Sequence, residues 1–266
     1  MANLTRSAKS GNDWGRNELL SYHITVTAIS PQEFFQQGPD PSLTGLDPAL
    51  IHFPLDATNV SDDTYRFLSY LDLATNAGQE TAVNDFAREL LRIVGFEERG
   101  CVLRTHHIMQ LSICGDNNKS AQTGVSLLDR RSTILLVLQE DKPVFNSSGP
   151  EPQVIAEAIA AYQHNNERRQ RMGLSTLSTM TVPCITIIGT RPTFYLVPVT
   201  EELSDAVITG QWPEVGTQVV KCVTVAGHNR RLSEGMETPE YRKVAFQRMI
   251  AFKALAKNHW DKFLVN

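Results

Sequence analysis

Residues 134–138, ILLVL, constrain this chain more than any other stretch. A strand with one wet face alternates polar and apolar residues. An unbroken run of β-favouring apolar residues is buried on both faces and belongs inside a sheet covered by helices. Residues 182–188, apolar but for Thr186, form a second such run. The first run ends in Gln139, Glu140, Asp141 and Lys142, just before Pro143. Polar groups at the end of a buried strand need partners, water or a metal. Glu140 and Lys142 are two apart, so on a strand they share a face. A carboxylate beside an ammonium at a sheet end can bind a divalent cation and steady an attacking water. It can equally be a solvated ion pair, the usual state of such residues. Among the lysines, Lys142 alone has an acidic residue two places before it.

The 266 residues suffice for one large domain or two small ones. With a net charge of −4 there is no global basic field, so nucleic-acid binding needs a local patch. The four cysteines form no CxxC, and Cys101, Cys114 and Cys184 lie in apolar runs as expected buried thiols. No signal-peptide core and no membrane-spanning run is present, which points to an intracellular home, cytoplasm or nucleus, and to no membrane partner.

Along the chain, residues 1–12 are polar and expected to fray, and residues 22–29 alternate as a strand. Residues 31–35 can form a short helix capped by Ser30, and 38–54 read as a loop. A helix runs from 61 to about 74. Residues 79–94 make the best helix, with Val83, Ala87, Leu90, Leu91 and Val94 on one side and Gly95 as its stop. Glu80 projects from the middle of that apolar stripe and Glu89 from the opposite side. Glu80 is either a functional carboxylate or a first-turn residue complementing the helix dipole.

Residues 101–114 read as a strand interrupted at 104–107, where His106 and His107 face opposite ways and lack a third zinc ligand. Residues 115–122 read as a polar turn, followed by a hairpin of 123–128 with 133–139. A helix starting at Pro152 runs to about 169. It places Gln153, Glu157, Ala160 and His164 opposite its apolar face, where the default is a wet side. Strands at 182–188, 193–199 and 219–225 and a helix from Thr238 to about 257 complete an α/β or α+β domain with a mixed sheet. No GxGxxG, Walker loop or Ser/Cys nucleophile motif occurs.

A helix bearing Glu80, three strands, Glu140-x-Lys142 at the end of the third, and a helix opening on Gln153 together resemble the PD-(D/E)XK nuclease superfamily. More narrowly, the layout is similar to a group of fungal nuclease-like proteins. The resemblance spans roughly residues 79–199. It implies a restriction-endonuclease-like αβββαβ core, with 79–266 as the nuclease-like domain and 1–78 as an elaboration packed on it. It also implies metal-dependent hydrolysis of DNA or RNA. Mg2+ or Mn2+ would be held by Glu80, Glu140 and the carbonyl of Asp141, with Lys142 activating water and Gln153 assisting. These residues are expected to converge on one pocket. A homodimer is compatible with this reading.

One family feature is missing. The strand before ExK normally carries a metal-binding Asp, and the position that aligns is Gly124. An odd-length turn before 134 would put residue 124 on the face of Glu140; a plain four-residue turn would put it on the other. Asp129 falls at the far end of the hairpin, about 20 Å away. Asp116 is an alternative donor. Losing a carboxylate weakens a site for a hard cation. A catalytically inactive nuclease fold, a pseudoenzyme kept for binding or scaffolding, is therefore the alternative. A small-molecule or carbohydrate binder would rest on Trp14, Trp212 and Trp260 as exposed aromatics.

Overall fold

A computed structural model describes residues 6–36, 38–76, 80–141, 149–226 and 234–263; the side chains at 80, 140, 141 and 262 also lie outside the description. The described helices are α1 (Arg16–Ser21), α2 (Pro31–Phe34), α3 (Ala49–His52), α4 (Asp62–Asn76), α5 (Glu80–Val94), α6 (Glu151–Arg171), α7 (Glu201–Thr209) and α8 (Pro239–Trp260). The strands are β1 (Ile24–Ala28), β2 (Cys101–Ile113), β3 (Asp116–Asp129), β4 (Ile134–Asp141), β5 (Thr179–Ile188), β6 (Arg191–Thr200) and β7 (Thr217–Val223). They form one mixed sheet in the order β1-β7-β6-β5-β4-β3-β2. β4–β5 and β1–β7 are parallel, and the other pairs are antiparallel. The order α5-β2-β3-β4-α6-β5 is the helix, three strands, helix and strand expected from the sequence.

β4 lies inside the sheet, and Ile134, Leu135, Leu136, Val137 and Leu138 are all fully buried. At about 1.5–3 kcal/mol per buried aliphatic side chain, this strand alone contributes on the order of 10 kcal/mol before entropy is counted. Both α5 and α6 pack across β2, β3 and β4, so the two-sided burial of β4 assigns them to opposite faces. Gly11, in a 3₁₀ turn, is wedged between β3 and α6. A Cβ there would stand 2.8 Å from the Ala121 Cβ and 3.4 Å from the Ala156 Cβ. The amino-terminal stretch from Gly11 is thus packed rather than frayed.

The hairpin is longer than the sequence suggests. Residues 104–107 do not interrupt β2, and 116–122 are strand; the turn is confined to Cys114 and Gly115. Polar residues are tolerated there because β2 is an edge strand and β3 has no β4 partner before Val125, so each has an edge open to water. His106 is exposed and His107 buried, as opposite faces require. At the other end, Asp129 Oδ1 accepts the backbone N–H groups of Arg131 and Thr133, fixing the turn far from the end of β4.

Other expectations are corrected by packing. Glu89 is buried rather than wet, because α4 packs on α5 and brings Arg66 within 3.0 Å of it; Arg92 completes the cluster at 2.7 Å. Burial alone would raise the Glu89 carboxyl; its hydrogen bonds and charge contacts with Arg92 and Arg66 outweigh that and hold it low. Glu157 and Ala160 are also buried: α6 packs on β2 to β6 and also meets α1, α7 and the Gly11 turn, so little of it stays wet. Trp14 and Trp260 are buried, leaving Trp212 as the exposed tryptophan. Cys184 is buried as expected, whereas Cys101 and Cys114 are only partly so. The helix α7, capped by Thr200 Oγ1 and ended by Gly210 at φ 70°, has no counterpart in the sequence reading.

Arg242, on the first turns of α8, is fully buried. It donates to the carbonyls of Met236, Leu50, Phe53 and Glu237 at 2.6–3.2 Å. Burial pushes its guanidinium down to about 10, so it stays charged at neutral pH. Replacing Arg242 with Ala leaves these carbonyls unpaired. The expected loss is about 3–5 kcal/mol in denaturant unfolding, and Lys, with no planar fork, recovers little of it.

Candidate functional site where two strands part

The β3–β4 ladder ends at Val125↔Leu138. Beyond that point β3 keeps pairing with β2, from His107↔Thr123 to Ile113↔Asp116. β4 keeps pairing with β5, through Gln139↔Thr186 to Asp141↔Ile188. The two strands therefore diverge, and a cleft of about 860 Å³ opens between them. Thr123 and Gly124 line it from β3 and Gln139 from β4. Thr81 and Asn84 reach it from α5, and Gln153 from the first turn of α6. His106, Gln122 and Gly149 also line it, and the segment from Lys9 to Glu18 supplies the rest of the wall, including Trp14 and Arg16.

Of the expected site residues, Gln153 is at the cleft. Glu80 opens α5 one residue before Thr81, and Glu140 and Asp141 continue β4 directly after Gln139, so all three are near neighbours along the chain of residues that line the cleft. The carboxylates of Glu80, Glu140 and Asp141, and the whole of Lys142, lie outside the described residues. Among the described residues no group of three His, Cys, Asp or Glu side chains is arranged to hold a metal. Asp116 is not a substitute: it opens β3 just after the Cys114–Gly115 turn, about 23 Å along the strand from Thr123, accepting from the Asn118 N–H and facing Lys119 at 3.7 Å.

The register corrects the expectation for Gly124. Leu128 pairs with Ile134, consistent with an odd turn, but a register shift between Leu127 and Leu128 reverses its effect. Asn165 of α6 patches that irregularity: its Oδ1 accepts from Ile134 N–H at 2.8 Å and its Nδ2 donates to Ile134 O at 2.9 Å. With Val125 opposite Leu138, position 124 is in phase with Gln139, and position 123 with 140. The β3 residue in phase with Glu140 is Thr123.

The chemistry of the cleft is that of unpaired neutral polar groups. Thr123 is fully buried and Asn84 nearly so, yet among the described residues the Thr123 Oγ1 and the Asn84 Oδ1 have no hydrogen-bond partner; the indole N–H of buried Trp14 has none there either. Such groups cost about 1–3 kcal/mol each when left unmade. Sequence reading passed over both side chains. Their signals were spacing and company: Asn84 stands one turn after Glu80 on the α5 stripe, and Thr123 precedes the anomalous glycine. Near the mouth, burial would raise the Glu18 carboxyl, but Lys9 and the Gly15 N–H overcome this and hold it below the usual range.

No family model and no curated protein matches the chain.

His107 stands opposite Thr123 on β2, buried, with its Nδ1 3.1 Å from the Ser126 Oγ and its ring centroid 6.0 Å from that of His164. Burial, with the Arg104 and His164 charges, lowers His107 to about 4; burial also lowers His164. Below the unfolded value the unfolded chain binds the extra proton, so stability is complete above about pH 6.5 and falls as pH drops toward 4. Between pH 7.5 and 5, a window that largely avoids carboxylate titration, His107 accounts for a loss of about 2 kcal/mol. Denaturant unfolding across that range is expected to show this slope, and His107→Gln to remove most of it.

Proposed function

We propose that this protein is a nuclease of the PD-(D/E)XK type, acting on a phosphodiester bond of DNA or RNA held in the cleft between β3 and β4. The observation that carries this reading is a coincidence of place. The cleft opens where β4 runs into Glu140 and Asp141, and the first turns of α5 and α6 meet it there with Thr81, Asn84 and Gln153. An intracellular location, cytoplasm or nucleus, goes with this substrate; no described helix is long and apolar enough to cross a membrane.

The donor set suits a hard cation, since the groups concerned are oxygens. Glu80, Glu140 and the Asp141 carbonyl would hold Mg2+ or Mn2+, and the unpaired Asn84 Oδ1 and Thr123 Oγ1 can accept from its waters. The ion supplies Lewis-acid stabilisation of the phosphoryl oxygens and an acidified water. In this reading Lys142 orients that water or takes its proton, and Gln153 positions the bound phosphodiester.

What β3 contributes favours low activity. Thr123 and Gly124 line the cleft, and neither is a carboxylate, so the cation has one negative ligand fewer. The same observation supports a second reading, a nuclease-fold module that binds nucleic acid without cutting it.

The register supplies the test. Thr123→Asp, in phase with Glu140, is expected to raise Mg2+ affinity and metal-dependent cleavage about 10- to 100-fold, the usual scale for a group beside a metal. Glu140→Ala in that background abolishes cleavage. Calorimetry with Mg2+ and Mn2+, and cleavage of single- and double-stranded DNA and RNA, provide the measurements. Cleavage by the parent protein as fast as by Thr123→Asp would mean that another group completes the site. No metal binding and no cleavage by either protein would leave the binding-only reading.

A further inference from the structure

The cleft is rich in carboxamides rather than charge. Asn12, Asn17, Asn84, Gln122, Gln139 and Gln153 line it, while its described charges balance, Lys9 and Arg16 against Asp13 and Glu18. A groove built to follow a phosphate backbone would carry net positive charge. Carboxamides present a donor and an acceptor side by side, which is the pattern that reads the edge of a base. The buried, unpaired Thr123 Oγ1 and Asn84 Oδ1 add a hydroxyl and an acceptor at the floor. A base in a duplex has its Watson–Crick edge occupied and its faces stacked. Only an unpaired base can present that edge to a concave pocket. The volume of about 860 Å³ lies within the range of small-ligand pockets and admits a nucleotide unit.

From this juxtaposition we infer that the cleft is a recognition site for an unpaired nucleobase of a single-stranded polynucleotide, with Asn84 and Thr123 as specificity-determining residues. The inference rests on the nuclease reading for the class of ligand, but not on hydrolysis. It also gives the buried Thr123 hydroxyl and Asn84 amide oxygen, which have no partner among the described residues, hydrogen bonds on binding.

The test is binding in EDTA, where no metal-dependent cleavage occurs. Calorimetry is run with six-nucleotide homopolymers of deoxy- and ribonucleotides, a duplex of matched length, and a linear glucose hexasaccharide. The single strands are expected to bind at least about tenfold more tightly than the duplex, a difference of about 1.4 kcal/mol. The deoxy and ribo arms show which sugar is accepted. Thr123→Val and Asn84→Leu are each expected to weaken single-strand binding at least about tenfold, the scale of one lost hydrogen bond. Thr123→Val should melt no lower than the parent protein, because it removes an unpaired hydroxyl without removing volume. Thr123→Ser keeps the hydroxyl and should keep the affinity, which separates recognition from a folding defect. Equal binding of duplex, unchanged affinity in both variants, preference for the oligosaccharide, or no binding of any strand would each overturn the inference. Single-strand binding lost in the variants, with no cleavage under any metal, would uphold it while the hydrolytic reading fails. Metal-dependent cleavage with variant-insensitive binding would do the reverse.

Discussion

The two-sided burial of β4 is the constraint on which the rest of the molecule depends. A strand with no wet face needs a helix layer on each side, and α5 and α6 supply them. It also needs a hydrogen-bonding neighbour along each edge. β3 serves one edge only as far as Leu138, while β5 continues along the other to Asp141. The cleft is therefore a consequence of how the sheet is paired: once β3 turns away with β2, the polar end of β4 has a partner on one side and open space on the other.

That arrangement gathers elements distant in sequence. The starts of α5 and α6 approach the same end of the sheet, so Asn84 and Gln153 meet residues of both β3 and β4. The amino-terminal turn closes the remaining side, held by the fit of Gly11 against Ala121 and Ala156. A segment that reads as an appendage thus forms a wall of the candidate site. β1 likewise joins the common sheet through its parallel pairing with β7.

Charge is handled differently inside and outside the cleft. Arg242 is paired with backbone carbonyls, Glu89 with two arginines, and Asn165 with both backbone groups of Ile134. Among the described residues, the oxygens of Asn84 and Thr123 are buried without partners at the cleft, as the His23 Nδ1 and Thr224 Oγ1 are elsewhere; at the cleft this unused capacity borders open space. Neutral amides and hydroxyls, rather than a field of one sign, give the cleft its character.

How much was legible in the sequence depended on whether a feature was local. Apolar runs determined that β4 and β5 are interior strands, and helical periodicity determined α4, α5, α6 and α8, because side-chain spacing and burial are linked within one element. The helix–strand order of the core followed directly. Features set by neighbours were not legible. Glu89 reads as a solvent residue until α4 brings Arg66 to it, and Glu157 reads as wet until the packing around α6 buries it. Residues 116–122 read as a turn because β3 has no β4 partner before Val125, and an open strand edge tolerates polar residues. The register was decided only in the folded sheet. A one-residue shift at Leu127–Leu128 is invisible in a string of apolar residues, yet it puts Thr123 rather than Gly124 in phase with Glu140, because strand faces alternate residue by residue.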